Sequence, residues 1–334
     1  RRPAGTQRGA DADFFSLGGD SLSAVQLLLM IEERWHRHPG LGTLFETPTV
    51  AALAAAIDSG IVRFDSGLKP IMQLASGDPT RPPLFLIHPA GGIAWGYRLL
   101  ARALAGAKPS RSVWGLQSPA LDPAQPLPSS IGDLAETYAD RIQALRTEGP
   151  IHLAGWSVGG ILAQAVAAAL QRRGRSVGLV ALLDAYPADC WRDEPAPTPQ
   201  QALRALLAIA GYDPEGHPEL DTQDKLIAFL RAGDSALGNL PADALHGVVR
   251  VVTDTNRLIR EHQHTPMAGT LTHVRAARDH AGKPQLRADA WAPYAGRVDT
   301  LDVPLMHAQM TGPEATALIA PMLTRHMQEL DECN

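Results

Sequence analysis

The sequence predicts two unlike parts: a short N-terminal block of helices, then a larger α/β unit with a mostly parallel sheet and a helical insertion. Three observations predict this. Composition changes near residue 60, where Ser59-Gly60 to Gly67 runs without clear periodicity. Beyond it, apolar strand signals alternate with helical patterns, which argues for a parallel sheet covered on both faces. The alternation then breaks between Cys190 and Pro266, where only helical patterns occur. The expected boundaries are 1–60 for the first part, 61–69 for a linker and 70–334 for the second part, with an insertion at about 190–266 hanging over the mouth of the sheet as a lid.

Each element has a local reason. Thr47 can cap a helix running to Ile57, Pro48 suits its first position, and Val50, Leu53, Ala54 and Ile57 share a face. The turn-rich stretch Ser76 to Pro83 leads into Leu84-Phe85-Leu86-Ile87, a short buried-strand signal. Val113 to Gln117 reads as a strand and Ile131 to Arg146 as a helix. Ile151 to Ala154 is a strand, Gly159 to Arg172 an Ala-rich helix and Val177 to Leu183 a strand. Leu271 to Ala276 and Val303 to Met306 are weaker strand candidates. Within the insertion, Pro195, Pro197 and Pro199 open a segment with helical patterns at Gln200 to Ala210, Thr222 to Ala232 and Pro241 to Gln263.

Composition excludes several classes. With 45% hydrophobic residues the 334-residue chain can bury a real core, and its net charge of -5 offers no electrostatic case for nucleic acid or an anionic membrane. No apolar stretch reaches the roughly 18 residues of a membrane span. Only Cys190 and Cys333 occur, so neither a disulfide framework nor a metal-ligand cluster is expected. A cytoplasmic protein with reduced thiols is the expectation. The chain does not begin with Met, which fits a piece of a longer polypeptide.

Gly155-Trp156-Ser157-Val158-Gly159 fits the G-x-S-x-G nucleophile elbow, and its context fits as well, with an apolar strand before it and a helix after it. The glycines allow a tight turn that lifts the Ser157 hydroxyl above the strand end. The backbone N–H of Val158 then faces a developing oxyanion at a helix N-terminus. Such a nucleophile needs an acid and a base that follow in the order Ser, Asp/Glu, His. Asp184 ends the strand Val177 to Leu183 and is favoured as the acid over Asp279, just past the next strand signal. His307 is favoured as the base because it ends the last strand candidate, whereas His262, His264, His273, His280 and His326 read as packing or surface residues. The second oxyanion donor should come from the loop after an earlier strand. His88-Pro89-Ala90-Gly91-Gly92 occupies that place and points to the Ala90 N–H, since Pro89 has none. His88 precedes the nucleophile and reads as structural.

Asp13-Phe14-Phe15-Ser16-Leu17-Gly18-Gly19-Asp20-Ser21-Leu22 is the most specific string in the chain. It resembles the carrier-protein motif of nonribosomal peptide synthetases. The elbow, Asp184, His307, the His88 to Gly92 loop and Leu116-Gln117-Ser118-Pro119 resemble the terminal thioesterase domain of those enzymes. The resemblance implies a small all-α carrier bundle followed by an α/β-hydrolase domain with a helical lid. It implies 4′-phosphopantetheine attached to Ser21, a phosphopantetheinyl transferase that places it, and upstream condensation and adenylation domains. The implied function is release of a peptidyl or acyl thioester through acyl-Ser157, by cyclisation or hydrolysis. The segment His88 to Tyr97 further resembles the terminal modules of catecholate-siderophore synthetases. Such carriers have another helix ahead of the Asp-Phe-Phe string, yet only ten residues precede Asp11, so residues are expected to be missing near Gln7. Two other readings are a free-standing esterase, which leaves the Ser21 motif without a purpose, and a carrier with an inactive hydrolase fold, which needs a triad member out of place.

Overall fold

A computed structural model describes residues 9–14, 17, 24, 27–28, 30–31, 34–37, 43–44, 48–59, 68–195, 198–210, 212, 216–233, 237–238, 240, 242–279 and 283–333. Ser21, Gly18, Gly19, most of the expected linker, His280 and the Gln7 region lie outside these residues.

In the N-terminal part, helix α1 spans Val50–Asp58. Its cap is Thr49 and not Thr47: the Thr49 hydroxyl accepts the Ala52 N–H at 3.1 Å. Thr49 is extended and bridges to Asp13, so Pro48 lies before the helix. Leu53 is buried on α1, whereas Val50 and Ala54 face outward, narrower than the shared face expected.

The larger part is built on a seven-stranded sheet of order β1-β3-β2-β4-β5-β6-β7. The strands are β1 (Ile71–Ala75), β2 (Leu84–Ile87), β3 (Val113–Leu116), β4 (Ile151–Trp156), β5 (Val177–Leu183), β6 (Met267–Ala276) and β7 (Ala295–Val303). Only β1 pairs antiparallel, along the edge of β3. The longer helices are α2 (Arg98–Gly106), α3 (Ile131–Leu145), α4 (Val158–Arg172), α5 (Pro199–Ile209), α6 (Gln223–Ala232), α7 (Ala242–Glu261) and α8 (Pro313–Cys333), with one further turn of helix at Asp189–Arg192. β2 is wholly buried, and α4 is buried from Val158 to Leu170, which places the turn at Ser157 over the centre of the sheet.

Two strands differ from the sequence reading. β1 was not expected; it is a five-residue edge strand that turns only Met72 and Leu74 fully inward, too short for a clear period. The last strand is Ala295–Val303 and not Val303 to Met306. β7 is a half-exposed edge strand carrying Arg297, Asp299, Thr300 and Asp302, so polarity hides it. Pro304 has no N–H to extend it, and the chain turns at 304–306 before a 3-10 turn at His307–Gln309.

Among the described residues between β5 and β6, only helices occur. The insertion is bound to the rest of the domain through its last helix. Gly247 of α7 lies against the Leu121 carbonyl so closely that a Cβ would come within 2.0 Å of that oxygen. Arg250 donates to the carbonyls of Ala120, Asp122, Pro123 and Gln125. Arg257 donates to those of Pro128 and Ser129.

Candidate active site

β4 delivers Ser157 at its end. Ser157 has φ 59 and ψ -129, and Asp184, after β5, has φ 45; among the described non-glycine residues only His36 shares a positive φ. Each such conformation costs on the order of 1–3 kcal/mol and persists only where the surroundings enforce it. Here the surroundings are backbone. The Ser157 N–H donates to Leu183 O at 3.1 Å and the Asp184 N–H to Val274 O at 2.6 Å. The motif glycines are required by close approach. A Cβ on Gly155 would lie 2.0 Å from Gly159 O, and one on Gly159 would lie 2.3 Å from Ile87 O.

Asp184 is 5% exposed. Its Oδ1 accepts the Ala276 N–H at 2.9 Å, and its Oδ2 lies 2.7 Å from His307 Nδ1. The carboxylate accepts, so in the neutral imidazole the proton sits on Nδ1 and Nε2 is the acceptor. Tyr186, held by Arg275, adds a long hydroxyl contact to Oδ1. Asp279, the rival acid, does something else: its Oδ2 accepts the backbone N–H of His307. Asp184 thus holds the ring and Asp279 holds the peptide on which the ring is mounted. The imidazole also lies against Trp156, ring centroids 5.1 Å apart.

The loop after β2 carries Ala90. The Gly92 N–H donates to Pro89 O at 3.0 Å, making a tight turn. His88 Nδ1 lies 2.7 Å from the same Pro89 oxygen, and His88 Nε2 lies 2.6 Å from the Tyr138 hydroxyl. Burial pushes the His88 pKa down to about 4, so its ring is neutral at ordinary pH. Val158 opens α4 one residue after Ser157, where the helix N-terminus favours negative charge.

Ser157, Val158, Asp184, Asp279 and His307 all line one cavity of about 700 Å³. Ile161, Tyr186, Trp191, Ile259 and Leu286 supply much of its apolar wall, with Glu194 and Lys283 as charged groups. The insertion contributes Trp191, Glu194, Pro195, Asn256, Ile259 and Arg260 to this lining. Arg260 is turned to structure: it donates to Asn256 Oδ1 and to the carbonyls of Arg192 and Glu194.

The other histidines are engaged elsewhere. His273 is buried in β6 against the Tyr186 ring. His264 bonds Gln164 and the Ala188 N–H, and His262 meets its ring edge to face. His326 sits on α8. Sequence reasoning missed Tyr97. Fully buried, its hydroxyl donates to Ile87 O at 2.7 Å and accepts the Trp156 N–H at 2.7 Å, tying the oxyanion-loop strand to the elbow. A buried tyrosine must place its hydroxyl somewhere, but only the fold says where. Among the described residues, no group of three or more His, Cys, Asp or Glu is arranged to hold a metal ion, and no helix is long and apolar enough to cross a membrane.

Residues 82–323 match the family described as thioesterase domain, and residues 4–57 match that described as phosphopantetheine attachment site. A dimodular nonribosomal peptide synthase of Bacillus subtilis is 35% identical over 97% of this chain, and the match covers 14% of the relative. Enterobactin synthase component F of Escherichia coli O157:H7 is 30% identical over 94% of this chain and 23% of the relative. The chain therefore spans a small part of the relatives it matches. Among solved structures, a four-domain nonribosomal peptide synthetase bound to AMP and glycine superposes with a TM-score of 0.66 at 23% identity, covering 95% of this chain and 24% of that one. The NocB thioesterase domain superposes with a TM-score of 0.55 at 21% identity, covering 75% of this chain and 95% of that one.

Proposed function

The chain belongs to the thioesterase-domain family and carries a phosphopantetheine attachment region ahead of that domain, and on this premise we propose that it releases a peptidyl or acyl group from a nonribosomal peptide synthetase carrier through an acyl-Ser157 intermediate. The observation that carries the reading is the 2.7 Å contact of His307 Nδ1 with buried Asp184, in the same cavity as Ser157 at its strained turn.

In this reading the 4′-phosphopantetheine on Ser21 supplies the acyl group as a reactive thioester. His307 Nε2, bare because Asp184 holds the Nδ1 proton, takes the proton of Ser157. Ser157 Oγ bonds to the carbonyl carbon, and the Ala90 and Val158 N–H groups stabilise the oxyanion. The carbon–sulfur bond breaks, and His307 returns its proton to the leaving thiolate. The acyl group then passes to water or to a nucleophile on the acyl chain itself, again with His307 as base. Asp279 keeps the His307 peptide in place. The cavity holds the acyl chain against Ile161, Trp191, Ile259 and Leu286. Residues 1–60 form the carrier domain, 61–69 the linker and 70–334 the thioesterase domain. The partners are upstream condensation and adenylation domains and a phosphopantetheinyl transferase, all in the cytoplasm. Enterobactin synthase component F among the relatives favours a siderophore-type product.

The test is to load the protein with an acyl-coenzyme A through a phosphopantetheinyl transferase and follow intact mass. The parent protein should gain one acyl-phosphopantetheine and then lose the acyl group. Ser21→Ala should gain no mass, and Ser157→Ala should keep the acyl group. Loss of the acyl group at the parent rate from Ser157→Ala would reject the reading.

A further inference from the structure

The two oxyanion donors are held in different ways. Val158 N–H belongs to the first turn of a buried helix. Ala90 N–H belongs to a loop, so its direction depends on what orients the Pro89–Ala90 peptide. That peptide is planar, and in its trans form the C=O and N–H point in opposite directions. Whatever anchors Pro89 O therefore aims Ala90 N–H.

Two donors reach that oxygen: the Gly92 N–H at 3.0 Å and His88 Nδ1 at 2.7 Å. A carbonyl oxygen only accepts, so Nδ1 carries the imidazole proton and Nε2 presents a lone pair. The Tyr138 hydroxyl, 2.6 Å away, donates to it. The rings meet edge to face, with centroids 5.8 Å apart. Both side chains are buried, His88 at 3% exposure and Tyr138 at 0%. His88 precedes the nucleophile in the chain and its two ring nitrogens are both engaged, so it is no candidate for the base. Each hydrogen bond along Tyr138–His88–Pro89 has one workable donor and one workable acceptor, so the chain of bonds has one sense.

We propose that His88 and Tyr138 are a positioning pair that fixes the Pro89–Ala90 peptide plane and thereby aims the Ala90 N–H at the oxyanion of the thioester reaction. The proposal rests on the reading of Ser157 as nucleophile and Ala90 as donor. It extends that reading to two residues which touch neither substrate nor reacting atoms. A misaimed donor weakens binding of the tetrahedral state and leaves ground-state binding nearly unchanged, so the loss falls on kcat.

The experiment compares His88→Leu, His88→Asn and Tyr138→Phe with Ser157→Ala, using hydrolysis of a butyryl-pantetheine thioester and inhibition by butylboronic acid, whose serine adduct is tetrahedral. Loss of one oxyanion donor costs about 10²–10³ in kcat, so His88→Leu should fall by about a hundredfold with KM within threefold. Its inhibition constant for the boronic acid should rise alongside. His88→Asn keeps an N–H near the Nδ1 position and should recover at least tenfold over His88→Leu (expected from the donor geometry of an amide). Tyr138→Phe is nearly isosteric and tests the relay even if the His88 variants do not fold; its kcat should drop by roughly tenfold. The positioning role is overturned if Tyr138→Phe, or a folded His88→Leu, keeps kcat within threefold of the parent. It is also overturned if His88→Asn is as impaired as His88→Leu, which would leave only ring packing. Turnover by Ser157→Ala would instead reject the underlying nucleophile assignment.

Discussion

Replacing Asp184 with Asn should separate the roles of the two acids beside His307. The carboxylate uses both oxygens, Oδ1 for the Ala276 N–H at 2.9 Å and Oδ2 for His307 Nδ1 at 2.7 Å. An amide has one oxygen. If that oxygen faces His307, the amide N–H meets the Ala276 N–H, donor against donor, in a group only 5% exposed. Leaving such a buried donor unpaired costs about 1–3 kcal/mol. The amide oxygen therefore stays on Ala276, and the amide N–H faces Nδ1. The imidazole must then accept on Nδ1 and carry its proton on Nε2, where it cannot take a proton from Ser157. A wrong tautomer of this kind costs a factor of about 10⁴ in kcat, or ~5 kcal/mol. Asp279→Asn keeps an oxygen for the His307 backbone N–H, so its loss should stay within about tenfold. The assay is initial-rate release of free thiol from an acyl-pantetheine thioester, with circular dichroism to check folding. A folded Asp184→Asn within tenfold of the parent, or a larger loss from Asp279→Asn, would refute the reasoning.

Three more outcomes are expected. Gly159→Ala places a Cβ 2.3 Å from Ile87 O and 2.8 Å from His88 O, both backbone, so the elbow must shift away from the oxyanion loop; turnover should fall by roughly a hundredfold. Gly106→Ala, which meets no atom within 4 Å, should leave rates intact, and equal losses from both would show that the close approach does not matter. Asp331→Ala on α8 strips the carboxylate partner from Arg111, 1% exposed and 2.9 Å away, and from His152 at 3.0 Å, leaving Arg111 its bond to the Pro82 carbonyl, so urea unfolding should show a loss of about 3–5 kcal/mol; a loss below about 1 kcal/mol would mean that this ion pair contributes no more than an exposed one. Burial lowers the pKa of His88 and His262 to about 4 and of His264 to about 3, against an ordinary value of 6.5. The unfolded chain therefore binds more protons than the native one below about pH 6.5, and stability, level with respect to these groups above that, should fall as pH drops toward 4. Urea midpoints that stay constant or rise from pH 6.5 to 4.5 would contradict their buried neutral state.

Much of the site was legible because its chemistry is tied to short chain segments. Gly155 to Gly159 encodes the elbow largely within the segment: Gly155 answers to the Gly159 backbone, and strand and helix flank the turn, although Gly159 answers to Ile87 and His88 on another strand. Asp184 and His307 were legible from strand ends and chain order, though the strand before His307 lies earlier than its apolar run suggested, because β7 is a polar edge strand. Thr47 was the wrong cap because Thr49 is drawn out to bridge Asp13, a contact 36 positions away that local preference cannot see.

The amino-acid sequence by itself determined the fold class, the parallel sheet with its helical insertion, and the residue types that gather at the cavity, since period, turn chemistry and motif spacing are local properties of the chain. Tertiary structure alone decided which acid holds the His307 ring and which its backbone, that α7 is fastened by Gly247 and Arg250, and that Tyr97, His88 and Tyr138 brace the loop and the elbow. Those arrangements join residues up to 130 positions apart, as Arg250 Nη2 to the Ala120 carbonyl does. Their partners are selected by burial, which obliges each polar atom to find whichever donor or acceptor the packed fold brings within reach.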